Sequence, residues 1–244
     1  MKLRLLLAAC VALGLTAVGS AALAAGPANT TCSSGAIAGG TYNNVTVTGS
    51  CTFADGAAIT INGSLTVANG AVLNDHALST ATVHVRGNVT VGKGGVVGLG
   101  SYPEPPTPGH DSAFVDGSVI GNGAASLYLG GMTVRGNVIM NGGGDPGRNL
   151  PIKDDTIGGN LIIQNWKGLW FGVIRDVVGG NVILTNNVAA DPSTLPGSDS
   201  TEVVTNTIRG NLICTGNVPI AQVGDSEGAI NTVSGRKLGE CASL

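Results

Sequence analysis

The chain has few charged and few aromatic side chains. Of its 244 residues, 11% are Asp, Glu, Lys or Arg, and 3% are Phe, Trp or Tyr. Lys2 and Arg4 lie in a predicted leader, and without them 10 of the 12 basic residues remain against 15 acidic ones, a net charge of −5. Nucleic acids and anionic membranes select basic surfaces, so neither is an expected partner.

Long apolar runs are absent beyond the N-terminus. Residues 5–23 are apolar, follow a basic start and end at Ala22-Leu23-Ala24, which is the pattern of an export signal. We therefore predict a signal peptide over residues 1–25. No second run is long enough to span a membrane. The sequence predicts a secreted, extracellular protein with no membrane span.

Several motifs that carry catalytic or metal chemistry are also missing. The sequence contains no G-x-S-x-G, no H-E-x-x-H, no Walker A loop and no aspartate-glycine calcium repeat. Glu104, His110 and Asp111 could offer metal ligands, but four prolines in residues 103–108 predict a solvated loop there. We predict no cofactor and no metal.

The sequence does contain a repeated six-residue motif, for example Ile208-Arg209-Gly210-Asn211-Leu212-Ile213. The glycines of successive copies are 24, 30, 19, 23, 21 and 30 residues apart, which suits one coil of a solenoid. No stretch between copies has helical periodicity, and the pattern of a leucine-rich repeat is missing. The glycines are Gly63, Gly87, Gly117, Gly136, Gly159, Gly180 and Gly210.

The apolar positions of the repeated motif predict a strand. Residues two before, two after and four after the glycine are mostly aliphatic, so they share one face of a strand and stack into interior columns. The glycine indicates a corner, where a side chain would clash or φ would be positive. The following Asn or Ser can satisfy backbone groups there and stack with its equivalents. The predicted fold is all-β, a single-stranded parallel β-helix of about seven to nine coils.

The domain boundaries follow from departures from the repeat. We predict an N-terminal cap over residues 26–56, a β-helix over 57–219 and a C-terminal cap over 220–244. Loop insertions are predicted at 98–114 and 186–203, where prolines and polar residues interrupt the strand pattern.

Four cysteines remain after the predicted leader. An even number in an exported chain indicates disulfides, and separations of 19 and 27 residues are each about one coil. We predict Cys32–Cys51 and Cys214–Cys241, one disulfide at each end of the solenoid. The alternative for Cys214 is a buried free thiol, because it occupies an inward position.

Three aromatic residues, Trp166, Trp170 and Phe171, lie within six positions and are the candidate ligand-binding residues. Exposed rings in an extracellular protein can stack on sugar rings. The alternative is that these rings pack locally on the outside of the solenoid or under the 186–203 loop.

The weak catalytic candidates are Lys153, Asp154, Arg175 and Asp176, which could form a charged patch on neighbouring coils. Asp155 and Asp176 each lie four residues before a repeat glycine, where the last copy has Asn206. A turn-forming role is therefore the alternative for both. His84 is predicted to be an outer-face residue rather than a catalyst.

The position three after the glycine is predicted to face outward and is isoleucine in five consecutive copies. Such a column is either covered by a loop or a contact surface for lateral self-association. The residues concerned include Ile139, Ile162, Ile183 and Ile213.

Over residues 57–214, the [Ile/Val]-x-Gly-Asn-[Val/Leu]-x-[Ile/Val] motif resembles the repeats of secreted bacterial parallel β-helix proteins. The Gly-Asn-Val pattern within it is also similar to that of bactofilins. The bactofilin resemblance implies polymerisation through solenoid ends, which disulfide-linked caps would block. Pectate-lyase-like proteins resemble the chain in architecture, but none of their catalytic residues maps onto it. The sequence favours a non-enzymatic scaffold that contacts a polysaccharide or a cell-surface partner. The alternative is a polysaccharide lyase or hydrolase.

Overall fold

The protein is described by a computed structural model over residues 27–74, 80–100, 112–189, 200–223 and 229–244. The predicted signal peptide lies outside these residues. The described part is an all-β parallel β-helix with 26 strands, and it contains no α-helix. A 3-10 helix is present near the C-terminus, at Glu240–Ser243. None of the described segments forms an apolar helix of bilayer-spanning length.

The strands, in chain order, are β1 Ala28–Ile37, β2 Gly40–Phe53, β3 Ala58–Ile61, β4 Leu65–Val67, β5 Val72–Asn74, β6 Thr82–Val85, β7 Val89–Val91, β8 Val96–Gly100, β9 Ser112–Val115, β10 Val119–Asn122, β11 Ser126–Gly130, β12 Thr133–Val134 and β13 Val138–Asn141. They continue as β14 Asn149–Lys153, β15 Thr156–Ile157, β16 Leu161–Gln164, β17 Lys167–Gly168, β18 Trp170–Ile174, β19 Val177–Val178, β20 Val182–Thr185, β21 Val188–Ala189, β22 Thr201–Val204, β23 Thr207–Ile208, β24 Leu212–Thr215, β25 Thr232–Val233 and β26 Lys237–Gly239.

Apart from β17 and β21, which pair in a separate two-stranded sheet, the strands of the coils build three faces, and each pairs in parallel with its equivalent one coil away. The first face holds the strands before the repeat glycine, which are β3, β6, β9, β12, β15, β19, β23 and β25. The second face holds those after it, which are β4, β7, β10, β13, β16, β20, β24 and β26. The third face holds β5, β8, β11, β14, β18 and β22. The long strand β2 pairs with β3, β4 and β5, so it forms a coil of its own.

The predicted interior columns are confirmed. The aliphatic residues two before the repeat glycine and those two after it are at most 1% exposed in every copy. Successive members are register partners, for example Val138 with Leu161 and Leu161 with Val182. Close-packed β-branched and leucine side chains therefore fill the axis of the solenoid, and no coil could bury its own column alone.

The repeat glycine is required by close approach rather than by positive φ. A Cβ at Gly159 would lie 2.5 Å from Asn137 Oδ1 and 2.8 Å from the Gly136 carbonyl oxygen. The asparagine that follows forms the predicted ladder: the Asn160 backbone N–H donates to Asn137 Oδ1 at 2.8 Å, and the Asn181 N–H donates to Asn160 Oδ1 at 2.8 Å. The ladder thus occupies the space that the glycines leave open.

Both predicted disulfides are present near the ends of the described chain. Cys32 is linked to Cys51, with a Cα–Cα distance of 6.4 Å, and Cys214 to Cys241, with 5.3 Å. Cys214 is therefore not a free thiol. Disulfides persist in oxidising compartments, which fits an extracellular environment.

Strands extend further into both predicted insertions than the composition indicated. β8 runs to Gly100 and β9 begins at Ser112, while β21 lies inside the range 186–203 and β22 begins within it, at Thr201. These segments pair with neighbouring coils despite their glycines and polar residues, because backbone hydrogen bonds do not depend on apolar side chains. Residues 101–111 and 190–199 lie outside the described structure.

The predicted N-terminal cap is also part of the solenoid. β1 pairs in parallel with β2, and β2 has the inward alternation of the later coils, with Val45, Val47, Cys51 and Phe53 buried. At the other end, the 3-10 helix buries Cys241, and Leu244, which follows the helix, is also buried. Its Glu240 carboxylate accepts a 2.9 Å hydrogen bond from Asn217 Nδ2.

Candidate functional site

Two corners flank the third face, and they share a local design. A residue with positive φ is followed by a buried polar or aromatic residue. Asn165 (φ 58°) precedes Trp166 at one corner, and Arg175 (φ 59°) precedes Asp176 at the other. The left-handed conformation reverses the chain, and the next side chain turns inward beneath the corner. This explains why sequence neighbours at these corners have opposite exposure.

Trp166 and Phe171 are core residues, so the expectation that their rings stack on a ligand is wrong. Both side chains are 0% exposed, and their rings meet edge to face with centroids 5.9 Å apart. The Trp166 indole N–H donates to the Ala125 carbonyl at 3.2 Å. Its backbone N–H donates to Asn187 Oδ1 at 3.0 Å. Trp166 therefore occupies the inward corner position that Asn187 occupies one coil later.

Trp170 lies on the outer side of the third face. Asn149 is its register partner on β14, and Gly172 stands two residues further along β18. A Cβ at Gly172 would lie 2.3 Å from Trp170 Cη2, so the glycine makes room for the indole ring against the strand. Of the three predicted ligand-binding residues, only Trp170 keeps part of its ring at the surface.

A cleft of about 350 Å³ opens beside Trp170. The described residues that line it are Asn149, Lys153, Leu169 and Trp170. Lys153 Nζ lies 4.9 Å from the centroid of the Trp170 ring, in a cation–π contact. Asn149 Oδ1 is buried and has no hydrogen-bond partner in the structure. The cleft thus combines an aromatic ring, one cation and an amide whose acceptor oxygen lacks a donor.

The weak catalytic candidates are brought together only in part. Arg175 binds the Asp154 carboxylate through Nε at 2.6 Å and Nη2 at 2.7 Å. Asp176 is 0% exposed, and burial raises the pKa of its carboxyl well above the ordinary value. An acid and a base that both reach a common surface are what general acid–base catalysis requires. These residues do not provide that pair, because Asp154 is neutralised by Arg175 and Asp176 points into the core.

Asp155 and Asp176 instead form a buried ladder with Asn206 and Asn231. The Met132 N–H donates to Asp155 Oδ1 at 2.9 Å, and the Asp155 N–H donates to Asp176 Oδ1 at 2.8 Å. The Asp176 N–H donates to Asn206 Oδ1 at 2.8 Å. Burial, followed by repulsion from Asp154, raises the pKa of Asp155 well above its ordinary value. The predicted turn-forming role of both aspartates agrees with this geometry.

A polar cluster on the first face was missed by the sequence reasoning. His84 Nε2 lies 2.9 Å from Asp116 Oδ2, and Arg135 Nη1 donates to Asp116 Oδ1 at 2.7 Å. The Arg135 guanidinium lies 4.8 Å from the centroid of the Phe114 ring, and the His84 ring meets the edge of that ring. The signal was present in the repeat, because His84 and Phe114 lie three before a glycine, and Asp116 and Arg135 lie one before.

The isoleucine column faces outward as predicted. Ile139 pairs in register with Ile162, Ile162 with Ile183, and Ile183 with Ile213. All four side chains are partly exposed. Among the residues that the structure covers, no group of three or more His, Cys, Asp or Glu side chains could hold a metal ion. Glu104, His110 and Asp111 lie outside that part of the chain.

The comparisons with known proteins give no family for this chain. No protein-family model matches it, and neither the curated proteins nor the solved structures contain a match. The resemblance to bactofilins and to pectate-lyase-like proteins therefore stays a prediction.

Proposed function

We propose that the protein is a secreted β-helix scaffold that binds an extracellular polysaccharide at the cleft beside Trp170. The observation that carries this proposal is the placement of a partly exposed indole ring in a cleft of about 350 Å³. Aromatic rings with one accessible face stack on the apolar faces of sugar rings. The disulfides at both ends fit the oxidising environment in which such a ligand occurs.

A stiff solenoid suits this role because the cleft requires little reorganisation on binding. Trp170 is held by its own strand, by Gly172 beneath its ring and by pairing of β18 with β14. Pre-organised sites lose less conformational entropy when a ligand binds, so a small contact area can still be effective.

Catalysis is not part of the proposal. A lyase or hydrolase at this cleft would need an acid or base that reaches the ligand. Of the earlier candidates, Lys153 alone lines the cleft, whereas Asp154 is bound by Arg175. The binding role therefore has more support from the described residues than the enzymatic alternative.

A glycan array combined with a depolymerisation assay tests the proposal on the mature protein. We expect binding without cleavage, and we expect Trp170→Ala to weaken it about tenfold or more, because buried aromatic contacts dominate such interfaces. Phe114→Ala is the matched control, since Phe114 is a partly exposed aromatic residue on the first face. Absence of binding to any glycan, or equal binding by Trp170→Ala, would contradict the proposal. Cleavage would instead favour the enzymatic alternative.

A further inference from the structure

Three copies of the repeat have an arginine directly before the repeat glycine. They are Arg86, Arg135 and Arg209, and all three residues are exposed. The residue before each arginine is buried in the core, so the alternation of the strand turns the arginine outward. Neighbouring coils keep this position in line, since the Arg135 N–H donates to the Val115 carbonyl and the Arg209 N–H to the Val178 carbonyl, both at 2.9 Å. We call these three residues the arginine line.

The arginine line carries an excess of positive charge. Asp116 is the one acidic residue at this position among the described copies, and it contacts Arg135 at 2.7 Å and His84 at 2.9 Å. The flanking outward positions, three before and one after the repeat glycine, contain no acidic residue in those copies. Arg86 and Arg209 form no ion pair with a described residue. Three arginines against one aspartate give a local charge of +2, whereas the chain without its predicted leader has 10 basic and 15 acidic residues.

Between Arg135 and Arg209 the same position is glycine in two successive coils. Gly158 and Gly179 each stand directly before a repeat glycine, so these rungs have no side chain over two residues. A Cβ at Gly158 would lie 2.3 Å from the Arg135 carbonyl oxygen, and one at Gly179 2.3 Å from that of Gly158, so the close approach of the coils excludes larger residues. Arg135 and Arg209 are three rungs apart, which is about 14 Å. The surface between them is a strip of accessible backbone with an arginine at each end.

We propose that the arginine line binds an acidic polysaccharide that runs along the solenoid axis. Its carboxylate or sulfate groups pair with Arg86, Arg135 and Arg209, and its sugar rings lie over the glycine strip. Guanidinium groups bind such anions through two parallel N–H bonds, which gives orientation as well as affinity. Arg135 is already oriented, because it donates to Asp116 at 2.7 Å. The line lies between the first and second faces, whereas the Trp170 cleft lies on the third, so this inference does not depend on the proposed function.

The spacing of the arginines favours an acidic polysaccharide over a nucleic acid. Arg86 and Arg135 are two rungs apart, which is about 10 Å, and the next gap is longer. Double-stranded DNA carries one negative charge for about every 1.7 Å of its axis, so most of its phosphates would find no partner here. In an acidic polysaccharide a whole sugar ring separates one anionic group from the next, so fewer charges remain unpaired beside a chain of net negative charge. The disulfides fit the extracellular environment of such polymers.

Binding of dextran sulfate, compared with uncharged dextran, tests the inference on the mature protein. We expect the wild type to prefer dextran sulfate and polygalacturonate to dextran, and this preference to fall as salt rises. The Arg86→Gln/Arg209→Gln variant should bind dextran sulfate about tenfold or more weakly, because it loses two charge-assisted contacts. Lys93→Gln/Lys167→Gln is the matched control, since it removes the same charge from two exposed lysines between the second and third faces. Its affinity should stay within about twofold of the wild type, because salt screens distant charges.

The outcomes distinguish this inference from the proposed function. Equal weakening by the arginine and lysine variants would indicate a response to net charge alone and would overturn the inference. Equal affinity of the wild type for dextran sulfate and dextran would overturn it, and so would binding of duplex DNA as tight as that of dextran sulfate at the same salt.

Trp170→Ala should leave the binding of dextran sulfate unchanged. If that variant loses the binding and the arginine variant keeps it, the acidic glycan lies in the cleft, and the inference fails while the proposed function stands. Binding that depends on the arginines, with no effect of Trp170→Ala on any glycan, would support the inference and contradict the proposed function.

Discussion

The buried Asp155–Asp176 ladder predicts that replacing acids by amides stabilises this protein. Asn206 and Asn231 show what the ladder position requires. In each, Oδ1 accepts a backbone N–H, and Nδ2 donates to a carbonyl one coil away, that of Val173 at 2.7 Å or Val203 at 2.8 Å. Asp155 and Asp176 keep the first bond, but Oδ2 of both is buried without a partner.

The carbonyls that an amide would reach can be identified from the register. Val173 pairs with Ile152, and Ile152 pairs with Leu129. Asp176→Asn should therefore donate to the Ile152 carbonyl, and Asp155→Asn to that of Leu129. Each change replaces an orphaned oxygen by a satisfied donor, which is expected to add about 1–3 kcal/mol to the free energy of unfolding. For a chain of this size, the melting temperature should rise by about 2–4 °C per kcal/mol.

The pH dependence has a definite sign. Burial raises the pKa of both carboxyls above the ordinary value of 3.8, with further raising by neighbouring aspartates. The folded state thus holds protons that the unfolded state releases. The contribution of these groups is fully present below about pH 4 and is lost as pH rises towards their folded pKa values. The stabilisation gained by the amide variants should accordingly be larger at pH 7 than at pH 4.

Urea unfolding of the wild type, both single variants and the double variant at several pH values measures this difference. Asp55→Asn serves as a control on an exposed aspartate. Asn206→Asp is the reverse change and should destabilise the fold, because it places a third acid in the ladder. A wild type that is as stable as Asp176→Asn at pH 7, or an amide effect that shrinks as pH rises, would refute the reasoning.

Two further predictions concern side-chain packing, one at the two tryptophans and one at a repeat glycine. Trp166→Ala should lower the free energy of unfolding by about 3–5 kcal/mol in thermal or urea melts, because the Trp166 ring is fully buried. Trp170→Ala should change it by less than about 1 kcal/mol, because the Trp170 side chain is partly exposed. Equal losses of stability in the two variants would contradict this prediction. Gly159→Ala should cost about 1–3 kcal/mol, since its Cβ would clash with Asn137 Oδ1, while Gly147→Ala should stay within about 0.5 kcal/mol because its nearest contact is 3.4 Å away.

The architecture was predictable because its signals are tied to the repeat glycine. Val138 and Leu161 occupy the same offset in successive copies, and the period of two fixes which face they share. The disulfides followed from the same length scale, since a separation of one coil brings two cysteines to adjacent rungs. These features needed no knowledge of the third face.

The candidate site was harder because the third face does not lie at a constant offset from the glycine. Trp166 and Trp170 looked equivalent in the sequence, and only the positive φ at Asn165 explains why the first turns inward. Lys153 reaches the Trp170 ring from the previous coil, which required the register of β14 with β18. The His84–Asp116 contact joins residues 32 positions apart, so it could be found only from their offsets to successive repeat glycines and not from a local motif.

The isoleucine column and the Trp170 cleft are both outward apolar features, but they differ in what they imply. Each isoleucine from Ile139 to Ile213 has a register partner in the preceding coil and another in the following coil, so each side chain shields the next. Leu238, the last member of the column, pairs with Ile213 on one side and is 39% exposed, more than the interior members. A stacked column therefore hides much of its own apolar surface, and its presence alone does not require a partner. Trp170 departs from the repeat, and its cleft includes a cation and an unsatisfied amide. The break in the repeat is thus a better indicator of ligand contact than the most regular surface of the solenoid.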